Sequence, residues 1–488
     1  METDLKTPGT NYFMLRCALL ASVGVSLTAV SPAAAQNATW LLNPGSDFNT
    51  ATNWTPATVP TGTASFGGSN TTNLSFSADT TVGGFTFNAG APAYTFTIGA
   101  ARTLDFSTAG IINNSGNAPT FQNTGSLSFL NASTAGNANI TNNNNSLLQF
   151  NETSTAGSAV ITNSSGAVRF VDTSTAGNAT ITNNQALQFF DTSTAGNATV
   201  TNNNAVQFLN ASTAGSATIT NNQTLQFNGS SAAGSANITN DKNLQFFDTS
   251  TAGNAAITNN SVLSINNAST AGSANITNNF ELLFNDTSTA GNAVITNNRV
   301  LSINNASTAG TANITNTGSL DFRNTSTAGT ATITINNTGN LNFRDTSTAG
   351  SATINNNGTL GFVDGGTAGN AMITNNSILL FFNTSTAGGA TITNNNALNF
   401  NDTSTAGNAA ITNNFDLNFL GTSTASSAAI TNNRDLSFHN SSTAGAPISP
   451  TAISWNSSTP ERPATLPSPR RPAAQRSFST PPPAGRRG

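Results

Sequence analysis

The sequence predicts an all-β fold, a right-handed parallel β-helix (solenoid) with coils of about 19 residues. Three observations carry this. The tetrapeptide S-T-A-G or a near variant recurs down the chain, with glycines at 136, 157, 177, 196, 215 and onward to 407, then Ser426 and Gly445. Within each unit the apolar residues alternate with polar ones, which is the period of a strand. The residues between them are Asn, Thr, Ser and Gly, poor helix formers with no apolar stripe of period 3.6.

Counting from each Gly as zero, position +2 is Ala in all 16 complete units, and +4 is Ile in 15 of them and Val once, at Val200. A Leu or Val and then a Phe follow two residues apart, as in Leu187/Phe189 and Val206/Phe208, with Ile replacing Phe at Ile265 and Ile303. Ala and Ile therefore share one inward face, and Leu and Phe another. The D-T-S-T-A-G segment supplies a third side rich in Asx and Ser/Thr turn chemistry. Disordered low-complexity sequence has no reason to hold Ile and Phe at fixed offsets while their neighbours vary.

One unit cannot fold alone, because ordering its backbone costs more than burying its few apolar side chains returns. Stacking supplies the rest, with coils wound at about 4.8 Å per turn and three sides of about 20 Å. Parallel crossovers are right-handed by rule, which sets the predicted hand. Like residues then lie over like. Asn at +6 (Asn183, Asn202, Asn221) forms a ladder at the first corner, with side-chain amides bonding along the rod axis. The two 21-residue spacings place their extra residues in that corner (Asn142 to Ser146, Asn336 to Asn340).

Four segments follow from this pattern. Residues 1–35 read as a secretory signal peptide: Lys6 and Arg16, an apolar run from Cys17 to Val30, and a cleavage site at Ala33-Ala34-Ala35. Residues 36–110 form an N-terminal β cap with a tryptophan block and the first coils, and 111–445 form the β-helix of about 17 repeats. Residues 446–488 contain ten Pro and six Arg and read as a disordered tail. At T-P-E-R-P-A-T-L-P-S-P (459–469) codons exist that, read one base earlier, spell the repeat consensus, so the tail is expected to be out-of-frame repeats and the chain a truncated rod. Sequencing the gene beyond codon 445 tests this.

Composition excludes much. Only 7% of the residues are charged, against roughly 25% in ordinary soluble domains. Residues 36–445 carry 7 basic and 16 acidic groups, so the body is not a phosphate-backbone binder and no nucleic-acid partner is expected. One His and one Cys rule out a zinc site of those ligands and a Cys/His dyad. Past the leader the chain has no Cys, so it owes nothing to disulfides.

The N-terminal block Trp40…Asn53-Trp54-x-Pro56…Pro60-x-Gly62-x-Ala64-x-Phe66 resembles the start of bacterial autotransporter passenger domains, where STAGNATITNN-type repeats follow as they do here. The resemblance covers nearly all of residues 36–445. It implies a β-helical surface domain, exported through an outer-membrane β-barrel translocator as partner, cell-surface or extracellular at full length and periplasmic or released as this chain. The departure is that no series of alternating strands of about 10 residues with aromatic girdles is present.

The function expected is a non-enzymatic secreted or cell-surface rod with a structural or adhesive role toward an unidentified surface or carbohydrate ligand. No catalytic, cofactor-binding or metal-binding residues are assigned. The alternative is a carbohydrate-active β-helix enzyme, a lyase or hydrolase. Its carboxylates would come from the column Asp172, Asp191, Asp248, Asp286, Asp345, Asp364 and Asp402, but exchange with Asn210, Asn267, Asn305, Asn324 and Asn383 at the same position argues for Asx-turn capping. Asp172 and Asp191, on adjacent turns, are the pair that could share a cation, though calcium-type glycine-aspartate repeats are absent. His439, the only His, reads as a solvated surface residue. The arginines Arg102, Arg169, Arg299, Arg323, Arg344 and Arg434 are too dispersed for a patch. A minor alternative is an ice-binding solenoid, from the near-complete Thr column at +5 (Thr182, Thr201, Thr220), although +3 is Thr in only six units.

Overall fold

A computed structural model describes residues 34–445 and the backbone of Ser454–Trp455. The expected leader (1–35, but for its last two residues) and tail (446–488) lie outside the described residues. Residues 36–445 belong to one compact unit, a β-solenoid built from two long parallel sheets and a narrow third side.

Each repeat contributes two four-residue strands. The first, such as Thr180–Asn183, pairs in parallel with Val160–Asn163 before it and Thr199–Asn202 after it, and its Ile points inward. The second, such as Ala186–Phe189, pairs the same way with Ala167–Phe170 and Ala205–Phe208, with Leu and Phe inward. We call the two arrays the Ile sheet, of nineteen strands, and the Phe sheet. Like residues lie over like in both: Ile219 over Ile238, Thr220 over Thr239, Phe208 over Phe227.

The third side is shorter than the equal sides expected from the contour length. It is a single parallel bridge per coil, Thr175 to Thr194 to Thr213 and so on to Thr443. The reason is local. Both ends of D-T-S-T-A-G adopt left-handed backbone, at Asp191 (φ 55°) and Gly196 (φ 61°), leaving too few residues between them for a strand. The threonine of the bridge closes the turn by accepting a hydrogen bond on its Oγ1 from the Gly196 N–H, 3.0 Å away, and the same bond recurs in most coils. Glycine is needed here on two counts. Its φ is positive, and a Cβ on Gly196 would sit 2.8 Å from the carbonyl oxygen of Gly177 one coil below. Ser426 alone replaces it, in the penultimate coil.

Ser193 and Ala195 flank the bridged Thr194 and point inward, both with no exposed surface. The core is thus lined by four small or branched columns (Ser, two Ala, Ile) facing columns of Leu and Phe. The phenyl rings from Phe129 to Phe246 stack in one pile with centroids 4.6–4.9 Å apart and planes within 7°. The ring quadrupole disfavours a face-to-face stack; the spacing of the backbone ladder imposes it. The pile breaks at Ile265 and Ile303 and resumes from Phe322 to Phe438.

The buried asparagine column is the strongest polar element. Asn202, with no exposed surface, donates from Nδ2 to Asn221 Oδ1 at 2.7 Å and to the Thr224 carbonyl at 2.8 Å, while its Oδ1 accepts from Asn183 Nδ2 at 2.9 Å. This repeats from Asn123 to Asn316, skips Ile335, and resumes from Asn356 to Asn432. A buried primary amide needs both donors and its acceptor satisfied, and an identical amide one coil away provides the match. The corner insertions lie where the sequence placed them: four residues separate strands Asn139–Asn142 and Leu147–Phe150, against two between Thr180–Asn183 and Ala186–Phe189, and register is kept on both sides.

At the N-terminal end, strand Ala38–Trp40 runs antiparallel to Trp54–Thr55 and parallel to Thr63–Phe66. Trp40, Phe48 and Trp54 pack edge to face at 4.8–4.9 Å over Phe66, and the two indole N–H groups donate to the carbonyls of Thr71 and Phe48. This aromatic plug packs on the apolar interior of the first described coils.

The serine column shows an energetic flaw with a testable sign. The buried hydroxyls of Ser193, Ser231, Ser250 and eight equivalents have no hydrogen-bond partner, whereas Ser212, Ser307 and Ser347 donate to a Phe carbonyl of the preceding coil at 3.2 Å. An unpaired buried hydroxyl destabilises, and removing it relieves the desolvation penalty. Ser250→Ala is expected to be neutral or stabilising by up to about 1 kcal/mol, whereas Ser307→Ala costs about 1 kcal/mol. Urea denaturation midpoints of the two variants read the difference.

Candidate functional site

The acidic column lies at the corner after the Phe sheet, exposed to solvent. Every member has positive φ, from Asn131 (55°) through Asp172 (58°) and Asp286 (63°) to Asn440 (57°), with Gly229 and Gly421 taking the same place. The Asx cap expected within the turn is instead a bond between coils. Asp286 Oδ2 accepts from the Asn267 N–H of the coil before at 2.9 Å, and Asp345 Oδ2 from the Asn324 N–H at 2.8 Å. An acceptor oxygen is all that is required, so Asn and Asp exchange freely, and Gly enters because left-handed backbone suits it. Glu152, Asp172 and Asp191 occupy successive coils and share this arrangement, each accepting from the coil before. Among the described residues no group of three metal-ligating side chains converges.

His439 is half-buried beside the last pairs of the Phe sheet, and its carbonyl accepts from the Ser442 hydroxyl at 2.8 Å. The arginines are less scattered than their spacing suggests. Arg323 and Arg344 converge on Asp321, at 3.4 and 3.2 Å, and Asp321 is nearly buried and also accepts from Asn342 Nδ2 at 3.1 Å. The signal missed was the stacking of adjacent coils across a 21-residue spacing, which pairs Phe322 with Phe343 and so puts Arg344 over Arg323. Arg299 lies over the Phe280 ring at 4.4 Å and Arg434 over Phe415 at 4.1 Å, again from adjacent coils.

Two carboxyls in the first coils depart from ordinary titration. Burial pushes the half-buried Asp105 carboxyl up, a hydrogen bond from Ser128 opposes, and the charge of Asp79 adds to the rise. For Asp47, partial burial acts upward, but bonds from Thr50, Ser77 and the backbone N–H groups of Asn49 and Ser77 together hold it below the usual range. The two signs are opposite in linkage. Asp47 stabilises above its unfolded pKa, and this is lost as pH falls through its lower folded value. Asp105 penalises the fold at neutral pH and ceases to do so as pH falls through its raised value. Asp47→Asn is therefore expected to loosen the N-terminal cap at pH 7 and not at pH 2, and Asp105→Asn to tighten it at pH 7. Hydrogen exchange of the Trp40 and Trp54 indoles against pH checks both.

No family model, curated protein or solved structure matches the chain. The fold therefore stands on its own geometry, and functional argument starts from its surfaces. Asp105 is the carboxylate on which burial and a neighbouring charge, that of Asp79, act in the same direction, and it lies on the outer side of a strand, Thr103–Asn113. The Phe sheet carries outward glutamines, Gln188, Gln207, Gln226 and Gln245, linked amide to amide at 3.0–3.1 Å. The Ile sheet presents its threonines: every +5 residue from Thr141 to Thr431 is half-buried or exposed, and all are Thr but Asn355. No helix among the described residues is long and apolar enough to cross a membrane, which leaves β-barrel strands unaddressed.

Proposed function

We propose that the chain is a secreted or cell-surface rod with a structural or adhesive role, the passenger of an autotransporter-like system whose partner is an outer-membrane β-barrel. The observation that supports it most is the mode of stabilisation. Each coil is held by the coil beside it, through the asparagine ladder, the phenyl pile and the parallel bonds, and by nothing covalent. Such a chain crosses a narrow pore unfolded and folds coil by coil on the far side, with no disulfide to form. The leader read at 1–35 provides the first export step.

Expression in a Gram-negative host with fractionation tests this. An N-terminus beginning at Gln36 on material outside the cytoplasm is the expected result. Uncleaved chain held in the cytoplasm would refute export. Binding to cells or polysaccharide without release of reducing or unsaturated sugar separates the adhesive role from the carbohydrate-active alternative. For that alternative, loss of sugar release in Asp105→Asn would be the deciding result.

A further inference from the structure

The charge map of the solenoid is one-sided. Between Gly136 and Gly445 the chain carries 13 acidic and 6 basic side chains, and none stands at +1, +3 or +5, the outward positions of the Ile sheet and its approach. Those charges lie on the Phe sheet, its corners and the acidic column. The neutral face is continuous over sixteen strands, from Asn139–Asn142 to Ala429–Asn432. Its +3 residues are exposed throughout, and three of them are large and apolar: Val160 (47%), Val294 (48%) and Met372 (60%). The +5 threonines add a straight column of methyl and hydroxyl groups beside them.

We propose that this face docks a second copy of the same chain, Ile sheet to Ile sheet. Three arguments converge on that occupant. The first is charge. A body with a net negative charge repels its copy on every charged side, and this face brings no carboxylate against another and desolvates no ion. The second is pitch. Side-chain columns repeat along the axis at the ladder spacing of about 4.8 Å, and a globular partner meets only a few coils, whereas a second solenoid of the same pitch stays in step along all sixteen. The third is area. Four residues at about 3.3 Å and sixteen coils at about 4.8 Å give a footprint of roughly 1,000 Å² per copy, above the ~800 Å² per partner of a standard stable interface. Aromatic platforms of the kind that stack on sugars are absent from the face. The inference rests on the solenoid and its charge map, and it stands whether or not the chain is exported.

Sedimentation velocity of the purified full chain, from about 1 to about 100 μM, tests it. The wild type is expected to dimerise. The variant Thr220→Lys/Thr258→Lys/Thr296→Lys puts three charges mid-face and is expected to raise the dimer dissociation constant at least about 30-fold, whereas Gln188→Lys/Gln207→Lys/Gln226→Lys on the Phe sheet changes it less than about threefold. A wild type monomeric throughout, or equal weakening by both triple variants, overturns the proposal. Thermal hysteresis from a monomeric wild type would overturn it by giving the face to ice. Should a triple variant lose its β-sheet circular dichroism, single cysteines in a Cys17→Ser background decide. Thr277→Cys, at mid-face, is expected to yield a covalent dimer on oxidation and Gln226→Cys is not; the reverse pattern contradicts the proposal.

Discussion

Asn240→Asp is expected to be among the most damaging single substitutions in the rod, costing several kcal/mol at neutral pH. Asn240 has no exposed surface and serves three neighbours. Its Nδ2 donates to Asn259 Oδ1 at 2.7 Å and to the Val262 carbonyl at 2.8 Å, and its Oδ1 accepts from Asn221 Nδ2 at 2.7 Å. A carboxylate keeps the last bond and turns the first two into acceptor against acceptor, in a site without water to screen the charge. Protonation restores one donor. The folded-state pKa of the new acid is therefore raised above the unfolded value of about 3.9, and the damage is present above that raised pKa and shrinks as pH falls through it. Asn240→Ile is expected to cost less at pH 7. The rod already contains that arrangement: at Ile335 the ladder is interrupted, and Asn316 Nδ2 turns to the carbonyls of Gly318 and Asn340 at 3.0 and 2.8 Å. Limited proteolysis of the two variants at pH 7 and pH 4 gives the ranking. Equal resistance at pH 7 would contradict the amide ladder. Local readouts are preferable to one melting temperature, because a long repeat array need not unfold in a single step.

Ile257→Asp, three residues from a harmless-looking corner, is expected to cost several kcal/mol as well. Ile257 is 2% exposed and lies between Ile238 and Ile276 in the inward column, so the new carboxylate has neither water nor a donor. Asn260→Asp is the matched control. The sequence alone presents Asn260 as a bland corner residue whose replacement costs little. The structure adds a term: its Nδ2 donates to Asp241 Oδ1 at 2.8 Å, and its Oδ1 accepts from Asn279 Nδ2 at 2.9 Å. A carboxylate there faces Asp241, an exposed like-charge contact worth less than about 1 kcal/mol and weakened by salt. Protease resistance is expected to fall sharply for the first variant and slightly, with relief in high salt, for the second. Equal loss would contradict the inward placement of Ile257.

Much of the fold is legible in the sequence because a solenoid repeats its evidence. A single Ile-x-N or Leu-x-Phe says little, but sixteen units that repeat the apolar pattern in phase specify which side faces in, and the polar Asn at +6, present in 15 of the 16, stands out because no surface requirement would hold it so regularly. What escaped is what periodicity does not encode. The Ser of S-T-A-G recurs in every coil but that of Gly366 because it is buried, yet a small polar residue reads equally well as turn chemistry. The Asp/Asn/Gly exchange at the acidic column was readable as left-handed backbone, and Gly229 and Gly421 were the clue. The convergence of Arg323 and Arg344 on Asp321 depends on neighbours across coils, which linear spacing hides. The surfaces were least legible, because alternation fixes the inward residues and leaves the outward ones free.

The central claim is that residues 19 apart in the repeats are stacked neighbours, and a distance between labels tests it most directly. With Cys17 replaced by Ser, nitroxides at Thr182→Cys and Thr258→Cys stand four coils apart on one column. Pulsed electron–electron resonance is expected to give a narrow distribution near 19 Å, four rises of about 4.8 Å. A broad distribution centred near 45–50 Å, roughly that of a flexible chain of the same length, would contradict the stacked-coil account.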